Sequence, residues 1–308
     1  MKRVLVTGAS GFIGRHCLPL LVAKGYDVHA VARQPIPLSD RVQWHQVDLL
    51  DKASLDRLTT SVGATHLLHL AWYAEHGKYW SSSENLRWVR SGLELFEAFA
   101  RHGGRRITVA GTCAEYDWRY GCCSEEVTPL VPHSLYGACK HALQMILSRL
   151  APEVDLSAAW ARIFLLYGPF EHPDRLVASV TRSLLDGRPV KYLSTGRIRD
   201  LLFVEDVASA LVAILDSDAT GPVNIGSGHP LLLDDVVREI AHQVGPPDLV
   251  VPMTDRGSGR ADEPLILIPD TTRLRRDLRW TPQYSLRTGL SRTVQWWRDQ
   301  SSTQPAPP

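Results

Sequence analysis

The sequence has almost no net charge, because its 34 lysine and arginine residues are balanced by 33 aspartate and glutamate residues. Proteins that bind nucleic acid or lie on an anionic membrane typically carry a clear excess of positive charge. The formal net charge of +1 indicates neither partner, and we expect none of either kind. Any anionic ligand must therefore be held by local groups.

Cysteines are few, and their spacing forms no pattern. The five are Cys17, Cys113, Cys122, Cys123 and Cys139. They lack the spacing of a metal site, and their odd number argues against a disulfide framework. The sequence also lacks an apolar run long enough to span a bilayer, and its N-terminus lacks the layout of a signal peptide. We expect a reduced, cytoplasmic protein without a metal.

Strand-like and helix-like segments alternate from the start of the chain. The β-branched run "RVLVTG" is followed by a helical stretch, and similar pairs recur up to "DLSAAWARIFLLYG". This alternation predicts an α/β fold with a Rossmann-type doubly wound parallel sheet. After Pro169 the pattern becomes less regular. We predict a first domain over residues 1–168, a smaller C-terminal α/β lobe over 169–300 with segments that return to the sheet, and a disordered tail over 301–308.

A glycine-rich segment, "TGASGFIG", joins the first predicted strand to the first predicted helix. Glycines in this position permit a tight turn, a close approach of the backbone to a pyrophosphate, and close packing of helix on strand. The phosphates then lie on the free N–H groups of the helix N-terminus. Residues 1–168 are therefore the predicted dinucleotide-binding domain. Its predicted loop contacts are Gly8, Ser10, Gly11, Phe12, Ile13 and Gly14.

The end of the second predicted strand, "AVARQP", bears on which dinucleotide binds. An acidic residue there would hydrogen-bond the adenosine ribose of NAD, but this sequence has Ala32 and Arg33. Arg33 can pair with a 2′-phosphate, which favours NADP(H) and leaves NAD(H) possible. Further cofactor contacts are expected at the ends of the third and fourth strands. These are Asp48, Leu49, Leu70, Ala71 and Trp72.

The segment "PHSLYGACKHALQ" places Tyr136 four residues before Lys140 at the start of a predicted helix. At this spacing the two side chains lie on one helical face. An ammonium group beside a phenol favours the phenolate and lowers the phenol pKa toward neutral pH. Taken alone, the pair is far more typical of an exposed tyrosine beside a solvated lysine. The rest of the chain decides between these interpretations.

With both motifs in one chain, the sequence resembles the extended short-chain dehydrogenase/reductase family, and more narrowly its sugar-nucleotide epimerases, dehydratases and ketoreductases. "AGTCAEYDW" lies where that family has its Ser/Thr, here Thr112. "ARIFLLYGP" is similar to the family's Arg-x-x-Asn-x-Tyr-Gly-Pro, with Leu165 in place of the asparagine. "RIRDLLFVEDVASAL" and "GRADEP" resemble the segments that carry its diphosphate-binding arginines, here Arg199 and Arg260.

This resemblance implies a chemistry for the Tyr-Lys pair. Hydride moves between the nicotinamide and a sugar carbon while Tyr136 gives or takes the hydroxyl proton. Thr112 hydrogen-bonds the same oxygen, and Lys140 holds the nicotinamide ribose and lowers the pKa of Tyr136. The predicted catalytic residues are therefore Thr112, Tyr136 and Lys140. Tyr136 and Lys140 also count as cofactor contacts.

The residues after Thr112 bear on the reaction. Dehydratases of the family have acidic residues directly after the Ser/Thr, whereas this chain has Cys113 and Ala114, with Glu115 one position too late. We therefore favour an NAD(P)H-dependent 4-ketoreductase that acts on a nucleotide-linked deoxy sugar. The first alternative is an NAD-dependent 4-epimerase. Others are an epimerase-reductase like GDP-fucose synthase, with Cys113 and His172 as acid and base, and a non-catalytic NADP-binding sensor.

The expected partner is a nucleotide-diphosphate sugar. The predicted substrate contacts are Tyr73, His76, Cys113, Glu115, Arg199 and Arg260. Family members often dimerise through two helices of each subunit, which here would cover residues 85–101 and 135–149. We expect a homodimer.

Overall fold

A computed structural model describes residues 2–36, 39–194, 196–245, 247–254 and 264–303. Its strands are β1 (Arg3–Thr7), β2 (Asp27–Ala32), β3 (Val42–Gln46), β4 (His66–His69), β5 (Arg106–Thr112), β6 (Cys122–Cys123), β7 (Ser157–Ile163), β8 (Leu165–Tyr167), β9 (Val190–Ser194), β10 (Ile198–Phe203), β11 (Gly221–Ile225), β12 (Pro230–Leu232), β13 (Val250–Thr254) and β14 (Ile266–Pro269). Its α-helices are α1 (Gly14–Ala23), α2 (Lys52–Val62), α3 (Glu84–Arg101), α4 (Leu135–Glu153), α5 (Leu176–Leu185), α6 (Val204–Leu215), α7 (Leu233–Val244), α8 (Thr272–Leu278) and α9 (Leu286–Thr303).

The main sheet has seven parallel strands in the order β11-β7-β5-β4-β1-β2-β3. Parallel strands covered on both faces need apolar residues on both faces, and β5 is buried at every position. The predicted α/β class with a doubly wound parallel sheet is thereby confirmed. Strand order reverses between β1 and β4, and in such sheets ligands bind outside the carboxyl ends of the strands at that point.

Two helical layers cover this sheet. Helices α1 and α6 pack together over one core, which includes Leu18, Leu21 and Leu211. Helices α2, α3 and α4 form the other layer, over a core that includes Phe96 and Leu143. The second layer fixes α4 beside β5, which brings the Tyr136 helix to the carboxyl edge of the sheet.

The later part of the chain divides between this sheet and a smaller lobe. Strand β10 pairs with β8, β12 and β14, and β13 pairs with β9. Helices α5, α7 and α9 pack on one another around Tyr167, Phe203 and Leu290. Strand β11 belongs to the main sheet, and helix α6 belongs to one of its helical layers. The division at residue 168 itself stays a prediction.

The predicted tail begins too early, because α9 continues through Thr303. Residues 304–308 lie outside the described ranges. Of the helices that the structure describes, none is both long and apolar enough to cross a bilayer.

Candidate active site

The glycine loop between β1 and α1 forms a backbone cradle. Gly8 has a positive φ of 68°, and a Cβ there would lie 2.7 Å from the backbone nitrogen of Ala71. A Cβ on Gly14 would lie 2.3 Å from the carbonyl oxygen of Gly8. Helix α1 has neither a side-chain cap nor an acidic residue in its first turn. Its first N–H groups therefore suit an anion such as a dinucleotide pyrophosphate.

Replacing Gly14 with alanine is expected to weaken NADPH and NADH binding about tenfold or more and to destabilise the protein. The reason is that the new methyl group meets fixed backbone, and overpacking of this kind costs about 1–3 kcal/mol. Calorimetric titration and thermal unfolding measure the two effects. Gly245→Ala is the matched control, since its φ of 173° is extended and no described atom lies within 4 Å of its Cβ. Equal cofactor affinity and equal thermal stability of the two variants would contradict the interpretation of this loop as a binding cradle.

The predicted adenosine-side contacts lie at the same edge of the sheet. Arg33 directly follows Ala32, the last residue of β2, and its side chain is exposed. Asp48 accepts a hydrogen bond from the backbone of Leu50, and Leu49 is buried. Loop residues Leu70, Ala71 and Trp72 directly follow β4. The loop is tied to β1, because the hydroxyl of Thr7 accepts from the backbone N–H groups of Leu70 and Ala71.

Thr112 ends β5 and caps the short 3₁₀ turn Cys113–Glu115. Its hydroxyl accepts a hydrogen bond from the backbone of Ala114 at 3.2 Å. Helix α4 begins after Ser134, which caps the backbone N–H of Gly137 at 3.1 Å. A Cβ on Gly137 would lie only 2.2 Å from the carbonyl oxygen of Ala114, so α4 meets the turn closely. This approach brings the hydroxyl of Thr112 beside that of Tyr136.

Lys140 lies one helical turn after Tyr136 and is buried. Its ammonium donates to the carbonyl oxygen of Ala110 at 2.8 Å and lies 3.9 Å from the centre of the Trp72 ring. Burial lowers the pKa of Lys140 to about 7, and the carboxylate of Glu115 opposes that shift only in part. The lysine is therefore held by the strand that ends at Thr112, with its Nζ atom facing an aromatic surface.

Three aromatic rings surround Tyr136. The rings of Trp72, Tyr79 and Trp80 lie edge-on to its ring, with 6.5, 5.0 and 5.8 Å between the ring centres. Burial raises the pKa of Tyr136, and the hydrogen bond from Thr112 opposes this only in part. In the protein alone the pKa of Tyr136 therefore rises, opposite to the net lowering expected from the neighbouring Lys140, because the loss of solvation dominates. The phenol is protonated at neutral pH.

A cavity of about 440 Å³ lies beside this aromatic group. Tyr79 and Trp80 form part of the cavity wall and also contact the ring of Tyr136. Of the predicted substrate contacts, His76 and Arg199 line it. The Arg199 guanidinium donates to backbone carbonyls that include those of Pro264 and Leu265, which fixes it at the cavity wall. The predicted contact Arg260 lies outside the described residues.

Two other predicted contacts lie elsewhere. The hydroxyl of Tyr73 donates to Glu75 at 2.8 Å, and Tyr73 is absent from the described lining of the cavity. Cys113 packs in an apolar cluster with Tyr116 and Phe164, and burial raises the pKa of its thiol to about 12. Neither position supports the predicted contact with a substrate.

Glu115 is not a substrate contact, which corrects the prediction. Its side chain is fully buried, and both of its carboxylate oxygens accept hydrogen bonds from the protein. One carboxylate oxygen accepts from the backbone of Thr112 and from Trp160, both at 2.9 Å, and the other accepts from Arg162 at 2.8 Å. An arginine inside the apolar run "AAWARIF" signals a buried anionic partner, and Glu115 is that partner.

Most residues of the cavity wall were not predicted from the sequence. They include Trp80, Glu171 and Arg175. The backbone carbonyl of Trp80 accepts a hydrogen bond from the backbone N–H of Tyr136 at 3.1 Å. Arg175 lies at the start of α5, and Glu171 lies in the loop before it. No motif of the sequence distinguishes these side chains from ordinary surface residues.

The chain is similar in sequence and in fold to known proteins. A model of the NAD-dependent epimerase/dehydratase family matches residues 4–226. The dTDP-glucose 4,6-dehydratase of Neisseria gonorrhoeae is 28% identical over 97% of this chain and 96% of its own length. Among solved structures, the UDP-glucose 4-epimerase of Thermotoga maritima with UDP-glucose has a TM-score of 0.85 at 25% identity, covering 97% of this chain and 99% of that one. The UDP-glucose 4-epimerase of Thermus thermophilus in complex with NAD has a TM-score of 0.83 at 28% identity, covering 96% and 99%.

Proposed function

Because the chain belongs to the NAD-dependent epimerase/dehydratase family, we propose that it is an oxidoreductase acting on a nucleotide-linked sugar. The observation that carries the proposal is the clustering of Thr112, Tyr136 and Lys140 at the carboxyl edge of the sheet, next to a cavity. The relatives named above act on or bind nucleotide sugars, as their names state. These observations support a substrate of the same class.

Each residue of the group has a distinct role in the proposal. Tyr136 donates its proton to the sugar oxygen, and the hydroxyl of Thr112 fixes that oxygen by a second hydrogen bond. Lys140 holds the ribose of the dinucleotide, whose nicotinamide supplies the redox chemistry when bound. The three aromatic rings around Tyr136 reduce its contact with water. The backbone cradle of the glycine loop and α1 fits the pyrophosphate of the same cofactor.

Net reduction of a 4-keto group fits these residues best. The phenol of Tyr136 is protonated at neutral pH, as a proton donor to a new alkoxide requires. Dehydration fits poorly, because Ala114 has no proton to transfer and Glu115 is bound to Arg162. The buried, weakly acidic Cys113 thiol also disfavours an epimerase-reductase that uses it. C4-epimerisation is the second candidate, since two similar solved structures are UDP-glucose 4-epimerases.

Two assays separate these reactions. Protein with NADPH and dTDP-4-keto-6-deoxyglucose is expected to consume NADPH, followed by absorbance, with one equivalent of a dTDP-6-deoxyhexose formed. Protein with NAD and UDP-glucose is expected to form no UDP-galactose. Epimer formation without net consumption of cofactor would establish the second candidate instead. Failure of both reactions together with retained NADPH binding would support a non-catalytic sensor.

Replacing Arg33 with alanine tests the proposed preference for NADP(H). A charged hydrogen bond to the 2′-phosphate contributes about 1.5–3 kcal/mol, so NADPH binding is expected to weaken roughly tenfold or more while NADH binding stays unchanged. Calorimetric titration measures both. Arg87→Ala, which removes an exposed arginine from α3, is the control. NAD that copurifies with the wild-type protein, or equal affinities for NADH and NADPH, would overturn the preference.

A further inference from the structure

Glu171 is a buried acid in the wall of the cavity. Its side chain is only 5% exposed, and its Oε2 atom has no hydrogen-bond partner among the described residues. Burial raises the pKa of Glu171 to about 8, and Arg175 and the backbone of Gly168 oppose that shift only in part. The raised pKa favours the protonated form of this carboxyl. A protonated carboxyl both donates and accepts hydrogen bonds.

The backbone before Glu171 is what directs it inward. Phe170 has a positive φ of 70°, a conformation that is strained for a bulky residue. Its ring is held on the outside of the loop, 4.0 Å from the guanidinium of Arg15 and 4.8 Å from the ring of Trp296. The backbone N–H of Glu171 closes the turn on the carbonyl oxygen of Gly168. The strained residue thus separates an outward aromatic ring from an inward acid.

The same cavity contains a second polar atom without a partner. The Nδ1 atom of His76 is buried and makes no hydrogen bond within the described part of the chain. A buried polar group that lacks a partner destabilises a protein by about 1–3 kcal/mol. Two such atoms in one cavity, one of them behind a strained turn, indicate a polar ligand that completes their hydrogen bonds.

We propose that the carboxyl group of Glu171 binds a hydroxyl group of the sugar and is a specificity-determining residue of the function proposed above, on which this inference rests. The sugar ring is the part of a nucleotide sugar that carries several neighbouring hydroxyls. A carboxyl that donates one hydrogen bond and accepts another matches a hydroxyl, which does the same. A site built for such a pair discriminates strongly against ligands that lack the hydroxyl.

The test uses two variants of the full-length protein, Glu171→Gln and Glu171→Leu. Glutamine keeps one donor and one acceptor at the same place, whereas leucine keeps only the volume. UDP-glucose and dTDP-glucose are titrated calorimetrically in the presence of NADP, followed by the 2-, 3-, 4- and 6-deoxy analogues of whichever binds. We expect the leucine variant to bind the parent ligand about tenfold more weakly and the glutamine variant to stay within about threefold of wild type.

One deoxy analogue is expected to bind wild type and the leucine variant equally, which identifies the contacted hydroxyl. Thermal unfolding is expected to show little loss of stability in either variant, because the Oε2 atom has no hydrogen-bond partner to lose. Equal affinities of all three proteins for every ligand would overturn this inference alone. The inference would also be overturned if the leucine variant bound the parent ligand and all analogues more weakly by the same factor and had a lower melting temperature. If wild type binds neither nucleotide sugar, the proposed function fails and this inference fails with it.

Discussion

Replacing Tyr136 with phenylalanine is expected to lower kcat by about two to four orders of magnitude, the range that a positioned proton donor contributes. Only the hydroxyl is removed. The edge-on contacts of the ring with Trp72, Tyr79 and Trp80 are made by its carbon atoms, and phenylalanine keeps them. The fold and the affinity for NADPH are therefore expected to remain within about twofold of wild type.

Steady-state kinetics with the ketosugar and NADPH measures this effect, and calorimetric titration checks cofactor binding. Tyr120→Phe is the matched control, because it makes the same chemical change on a side chain that is 58% exposed and lies outside the site. A Tyr136→Phe variant that keeps more than a tenth of the wild-type kcat would contradict the proposed role. A loss of NADPH binding would instead assign the hydroxyl to the cofactor site.

The parts of the site that were predictable are local in the sequence. The glycine loop and the Tyr-Lys pair each occupy a few consecutive residues, and the helical period alone places Tyr136 and Lys140 on one face. The parallel sheet was predictable because alternating strands and helices allow few other arrangements. The resemblance to the extended short-chain dehydrogenase/reductase family then related these motifs to one another over nearly the whole chain.

The parts that were not predictable depend on distant pairing or on single torsion angles. Glu115 precedes Arg162 by 47 residues, and only the register of β5 against β7, with Gly111 opposite Arg162, brings them together. Glu171 points inward because Phe170 adopts a positive φ, which no sequence pattern for a phenylalanine indicates. The pKa of Tyr136 depends on how completely three aromatic rings enclose it. Spacing to Lys140 alone therefore predicted the wrong direction.

Replacing Arg162 with methionine is expected to reduce the free energy of unfolding by about 3–5 kcal/mol. Both partners are buried, with Arg162 1% and Glu115 0% exposed in their side chains and 2.8 Å between Nε and Oε2. Methionine fills much of the volume but leaves the carboxylate of Glu115 buried without a countercharge. Urea denaturation followed by circular dichroism measures the loss.

Arg238→Met is the control, because it removes an arginine from a 2.7 Å ion pair with Asp235 whose side chains are 60% and 57% exposed. Exposed pairs contribute about 0–1 kcal/mol, so this variant is expected to unfold almost as wild type does. If Arg162→Met loses as little unfolding free energy as Arg238→Met, other groups must compensate the charge of Glu115. The structural role assigned to Glu115 would then have no support.

The double variant Glu115→Met/Arg162→Met separates the ion pair from the other contacts of Glu115. Replacing both charges with apolar groups removes the uncompensated carboxylate, so part of the loss in Arg162→Met is expected to return. The recovery is incomplete, because the backbone N–H of Thr112 and the indole N–H of Trp160 lose their acceptor. Thr112 is then less firmly placed beside Tyr136, and kcat is expected to fall although neither substituted residue reaches the cavity. A double variant with wild-type kcat would show that Thr112 is held by its own strand without Glu115.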